Sequence, residues 1–156
     1  MLAQSHIPKR VVFILSDENF NNEYLYNIEA TEKLKSGLTN LGFNLIEKQK
    51  IDKVLGYISS SAFDKFPLKI TEEKKRRMSE ELGLEAILIA RSNKHEASTV
   101  FVKKYDYIVK VELIQFREET VMWLGIIYDF SLVKATERII KLLEKDIKAF
   151  NEGKKI

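Results

Sequence analysis

The sequence predicts a single α/β domain: a five-stranded mixed sheet packed by helices, in the order β-α-β-α-α-β-β-β-α. Three observations carry that prediction. Twice a helical pattern ends on a glycine and runs straight into a short apolar stretch, at Gly42 before Phe43–Ile46 and at Gly83 before Ala86–Ala90. Glycine takes the left-handed conformation that stops a helix, and helix–glycine–strand repeated favours parallel strands joined by helical crossovers. The last third then changes to strict alternation, a polar turn and a returning strand, which is a hairpin, before a final amphipathic helix.

The elements follow in chain order. Residues 1–9 read as a flexible arm closed by Pro8, residues 10–150 as one domain, and 151–156 as a frayed tail. Val11–Leu15 is a continuous β-branched and aromatic run, typical of a strand covered on both faces. A polar connector, Ser16–Asn22, leads to a helix expected over Glu23–Leu41, with Ile28, Thr31, Leu34, Leu38 and Leu41 as its apolar stripe. A second helix follows the short strand at once and presents Ile51, Val54, Leu55 and Ile58 on one face. Ser59–Pro67 breaks any helix, though Phe63 and Phe66 imply that it packs down. Thr71 caps a helix over Glu72–Leu82, acidic in its first turn as the helix dipole favours. After the strand Ala86–Ala90, residues Arg91–Lys104 read as a polar loop. Tyr107, Val109, Val111 and Leu113 give the next strand one buried face, Arg117–Thr120 is the turn, and Val121–Ile127 returns. Leu132, Ala135, Ile139, Leu143, Ile147 and Phe150 mark the C-terminal helix.

Composition excludes several classes of function. With no cysteine among 156 residues, disulfides, thiolate metal sites and cysteine nucleophiles are ruled out. A net charge of +3, from 26 basic and 23 acidic residues, is too small an imbalance to argue for nucleic acid. No apolar run approaches the length of a membrane helix. The first residues lack the basic start and apolar stretch of a secretory signal, so either the protein is cytoplasmic or a targeting segment has been removed from the chain.

Residues able to do chemistry are few. Asp17 and Glu18 follow the first strand at the end where open α/β sheets bind ligands, and paired carboxylates there could hold a divalent ion or act as acid and base. A connector of Asp and Asn is more often a turn, and turn is the favoured reading. His6 and His95 are the two imidazoles, too few for a zinc site, which needs three or four convergent ligands. Neither a nucleophile elbow, a Walker A loop nor a dinucleotide glycine fingerprint is present. Lys74–Arg77 could contact phosphates, but Glu72/Arg76, Glu73/Arg77 and Arg77/Glu81 stand at pairing distance along a helix, so a solvated face is expected. Trp123 with Tyr105, Tyr107 and Tyr128 could form a stacking platform for bases, yet the alternation favours sheet packing. No catalytic, metal or cofactor-binding residue is therefore assigned, and an enzyme is the weaker reading.

Several of these motifs resemble a family of bacterial envelope proteins: the outer-membrane lipoprotein activators of penicillin-binding proteins, the curli secretion lipoprotein and the N-terminal domain of the Tol-system propeller protein. Leu34, Leu38, Gly42, Phe43, Leu45, Ile46, Glu47, Lys48, Ile51, Val54 and Leu55 stand at the places of that family's helix–glycine–strand–helix motif. Leu82–Glu85 and Ala86–Ile89 match its step into the third strand, and Val109–Leu113 with Met122–Trp123 match its strand–turn–tryptophan strand, so the resemblance covers about residues 10–150. The family's glycine after the third strand is Ala90 here, its aspartate is Glu85, and the lipid-bearing cysteine is absent.

The resemblance implies a noncatalytic protein-binding module of the cell envelope, docking on another envelope protein or on itself. It implies a periplasmic location anchored at the outer membrane in the full-length protein, with membrane contact only through a lipid anchor outside this chain. The alternative is a small cytoplasmic α/β protein that binds a ligand or nucleic acid at the sheet end near Asp17. A pore like that of the curli secretion protein is not expected. Ser59–Ile70 and Arg91–Lys104, the two places for membrane-spanning hairpins, read as short charged loops.

Overall fold

The structure, a computed structural model, describes residues 7–15, 22–63, 65–98 and 103–153, and for 95–98 and 103–105 the backbone only. Five strands form one sheet: β1 (Arg10–Ile14), β2 (Asn44–Glu47), β3 (Ala86–Ser98), β4 (Lys103–Gln115) and β5 (Thr120–Asp129), in the spatial order β2-β1-β3-β4-β5. The helices are α1 (Ile28–Asn40), α2 (Lys48–Leu55), α3 (Glu72–Glu81) and α4 (Leu132–Asn151). Strands β2, β1 and β3 are parallel, and β3, β4 and β5 are antiparallel. The expected order and mixed sheet are both present.

Two apolar clusters lie on opposite faces of the sheet. One joins Val11, Phe13, Leu88 and Val111 to Leu34 and Leu38 of α1 and Ile139 and Leu143 of α4. The other joins Val12, Ile14, Ile87 and Ile89 to Ile51 and Leu55 of α2 and Met78 of α3. Successive side chains of β1 thus enter different cores, which is why that strand reads as an unbroken apolar run. The helix stops fall where the glycines stand, with φ of 103° at Gly42 and 65° at Gly83. Ala62 and Phe63 are buried, so the serine-rich stretch packs down through them, whereas Phe66, also expected to pack, stands exposed.

Four expectations are corrected. The helix expected over Glu23–Leu41 is two pieces, a 3-10 turn at Glu23–Tyr26 and α1 from Ile28. Asn22 and Asn27 each cap a following N–H, and Asn27 breaks the path between them. Ile28, the first residue of α1, stands about 120° round the helix from the stripe of Ala30, Leu34 and Leu38, and it is 80% exposed. On α2, Ile51 and Leu55 are buried but Val54 faces out.

Third, Arg91–Lys104 is not a loop. Strand β3 runs on to Ser98 in unbroken register with β4, from Ala86↔Gln115 to Ser98↔Lys103. Pairing with β1 ends at Ile14↔Ile89, and pairing with β5 starts at Tyr107↔Asp129, so His95–Ser98 and Lys103–Asp106 form a two-stranded ribbon beyond the sheet. A polar ribbon satisfies its backbone by cross-strand bonds and needs no apolar face, so composition did not reveal it.

Fourth, only part of the Lys74–Arg77 run is a solvated face. Arg76 bridges Glu73 and Glu80, and Arg77 pairs with Glu81, whereas the expected Glu72/Arg76 and Glu73/Arg77 pairs do not form. Lys75 is buried; its Nζ lies 3.2 Å from Glu119 and over the ring of Phe116. Glu119 also accepts from the Leu68 N–H, so this pair ties α3 to the β4–β5 turn.

Candidate functional site

Two places carry chemistry that the packing does not consume. The first is a cleft of about 370 Å³ at the carboxyl ends of β1 and β2. The chain leaves β1 for α1 on one face and leaves β2 for α2 on the other; in this strand order the switch point at which open sheets take ligands is the β1/β3 crevice, and the cleft lies beside it. Phe13, Ile14 and Leu15 floor the cleft, and Lys35, Glu47, Lys48, Asp52 and Ser60 supply its polar wall. The charges neutralise one another: Lys35 lies 3.1 Å from Glu47 and Lys48 lies 2.6 Å from Asp52. Asp52 also accepts from the Ile58 N–H, and the Lys48 ammonium sits over the Tyr57 ring.

The carboxyl end of β1 and the middle of β3 are held together by Asn22, which is fully buried. Its side-chain amide donates to the carbonyls of Leu15 and Ala90 and accepts from the N–H groups of Ser92 and Tyr24. The register of β1 with β3 ends at Ile14↔Ile89, and past it this one amide supplies the bonds that a neighbouring strand would. Tyr24, next along, buries its ring and bonds Thr136 of α4 at 2.6 Å. Burial pushes the phenol up to about 12, against the smaller opposing effect of that hydrogen bond.

The second place is β5. It lies at one edge of the sheet, and the layer of α2 and α3 does not reach it. On the α4 side Trp123 is buried and donates to Asp146 at 2.7 Å; Gly125 is required there, because a Cβ would stand 2.4 Å from the Trp123 ring. On the other side Leu124, Ile126 and Tyr128 are 48%, 45% and 64% exposed, with Val121 beyond the register shift at 54%. Their neighbours on that bare face are charged: Arg91 pairs with Glu112, and so does Lys110. At the strand's end burial disfavours the charged form of Asp129. The N–H groups of Ser131 and Phe130 and the Arg138 guanidinium outweigh it, holding the carboxyl below its usual range.

The residues singled out from sequence scatter. Asp17, Glu18 and His6 lie outside the described residues, as do the side chains of His95 and Tyr105. Trp123 is buried and Tyr128 is exposed on the opposite face, so the aromatic residues do not form one platform. Among the described residues no group of three potential ligands could hold a metal ion, and no helix is long and apolar enough to cross a membrane. The cleft residues went unnoticed because they come from four elements. The β5 row had a signal: an edge-type strand apolar at both parities.

No protein-family model matches the chain, and no curated protein matches it in sequence. Solved structures do. The lipoprotein GNA1162 from Neisseria meningitidis superposes with a TM-score of 0.55 at 11% identity, over 90% of this chain and 99% of that one. The hypothetical protein CT253 from Chlamydia trachomatis follows at 0.50 and 12%, over 92% and 97%. The LpoB C-terminal domain from Salmonella enterica aligns at 0.42 and 18%, over 78% and 82%. The likeness to the Neisseria lipoprotein agrees, as a likeness of fold, with the resemblance carried by the sequence motifs.

Proposed function

We propose that this domain is a noncatalytic protein-binding module of the bacterial cell envelope, an accessory or assembly factor docking on another envelope protein or on itself. The observation that carries the reading is the row Val121, Leu124, Ile126 and Tyr128, which puts apolar side chains in water along an open edge strand. Soluble domains blunt such edges with lysine, proline or a covering element, and an edge left apolar marks a contact surface. The noncatalytic part of the reading is supported by the cleft, whose lysines and carboxylates are already paired with one another. The envelope part is supported by the fold shared with a Neisseria lipoprotein, and in that setting membrane contact runs through a lipid anchor rather than a pore.

A photoreactive residue in place of Ile126, with one in place of the exposed Lys53 as control, tests it in producing cells. A discrete protein adduct at 126 alone is expected; equal adducts at both positions, or none, refute it. A second reading, binding of a small ligand at the sheet end near Asp17, is favoured by one observation. Ser60 lines the cleft nearly buried, and its hydroxyl has no hydrogen-bond partner among the described residues. Recovery of the protein in the cytosolic fraction would favour this second reading.

A further inference from the structure

We infer that β5 is a self-pairing edge: two copies of this chain join antiparallel along β5, centred on Gly125, into one continuous sheet. This names the partner for the docking surface proposed above and rests on that reading.

Backbone geometry identifies which groups are open. Arg138 donates to the Tyr128 carbonyl at 2.8 Å from α4, while Tyr128 stands opposite Ile108 in the ladder. A carbonyl engaged by Arg138 at the margin points away from β4, and antiparallel strands repeat that orientation every second residue. Ile126 and Leu124 therefore also turn their N–H and C=O groups outward. At these two residues an open backbone coincides with an exposed apolar side chain. Centring on Gly125 sets Leu124 of each copy against Ile126 of the other. Both residues then exchange backbone bonds and form an apolar cross-strand pair.

Length and charge select a second copy. The opposite edge, β2, has four residues and ends on Glu47, which is held by Lys35, so it cannot match the ten residues of β5. Head-to-tail pairing of β5 on β2 is thereby disfavoured, and β5 matches itself. The strand carries one charged residue, Asp129, already paired with Arg138 at 3.1 Å. Antiparallel pairing keeps the two Asp129 residues at opposite ends, and brings the turn bearing Arg117 of one copy to the Asp129 end of the other. Arg117 is exposed and makes no ion pair among the described residues. No lysine or proline interrupts the strand, so nothing in it opposes strand addition.

The test uses sedimentation velocity and the absence of native cysteine. The intact chain should pass from one copy to two as concentration rises, and Ile126→Lys, at an exposed site, should weaken this about tenfold or more. Leu124→Cys and Ile126→Cys proteins should form a disulfide-linked dimer when mixed and oxidised, and much less when each is alone, since only the directly opposed pair comes within bridging distance. A chain that stays single at every concentration, a dimer indifferent to Ile126→Lys, or equal linking by each cysteine variant alone overturns self-pairing. The two proposals can fail separately. A single-copy protein that still gives a discrete adduct with another protein at position 126 overturns self-pairing and leaves the docking reading. A single-copy protein with no adduct overturns both.

Discussion

Replacing Asn22 with alanine should be among the most damaging single changes in this domain, although it removes only a few atoms. The side chain holds Ala90 O at 2.8 Å, Ser92 N at 3.0 Å and Tyr24 N at 3.2 Å, and it also donates to Leu15 O. Ala90 and Ser92 are themselves fully buried, so water does not replace what the amide supplied. Leaving a buried donor or acceptor unsatisfied costs about 1–3 kcal/mol each, so the four groups released, taken at the low end of that range, give about 4–5 kcal/mol for the site. Against a domain stability of about 5–15 kcal/mol, that is a large fraction. For a chain of this length the melting temperature should fall by about 10 °C. Urea unfolding followed by the fluorescence of Trp123, the one tryptophan, measures it. Asn22→Asp should do no better, because a carboxylate oxygen would face the carbonyls of Leu15 and Ala90. A loss below about 1 kcal/mol for Asn22→Ala would refute the view that this amide replaces a strand.

Three further outcomes are expected. Tyr24 has a folded value of about 12 against an ordinary 10, so its contribution is complete below pH 10 and is lost as pH rises from 10 through 12; it amounts to about 2–3 kcal/mol. Tyr24→Phe should flatten that alkaline limb in denaturant titrations, and an unchanged limb would show that another group sets it. Gly125→Ala should cost about 1–3 kcal/mol, since its Cβ would overlap the Trp123 ring and Ile139, and a neutral or stabilising result in thermal melts would contradict the packing of α4 on β5. Leu38→Asp should leave no folded population by circular dichroism, because it sets an unpaired carboxylate in the core between α1 and the sheet; a near-native melting temperature would mean that α1 is rotated.

Wherever a pattern is local, the amino-acid order alone was enough. Gly42 and Gly83 stop their helices because only a glycine takes those positive φ values freely, and Thr71 caps α3 with a side chain three residues from its target. Val11–Leu15 had to be a strand covered on both faces, and Tyr107–Leu113 had to bury one side, because period two admits little else. The element order followed from these. The site did not, because its members are local to nothing. The cleft gathers Lys35, Glu47, Lys48 and Ser60 from four elements, and Asn22 bonds across 68 residues to Ala90. Lys75 looked like a solvated charge until the β4–β5 turn brought Glu119 to it. Ile28 looked like core, but its place round α1 sets it off the stripe of Leu34 and Leu38, and Arg91–Ser98 looked like a loop until β4 supplied the partner backbone. Hydrophobic period says that a side chain faces away from its own polar neighbours. Only the placement of the other helices decides whether anything lies opposite, and over Leu124, Ile126 and Tyr128 nothing in the described chain does.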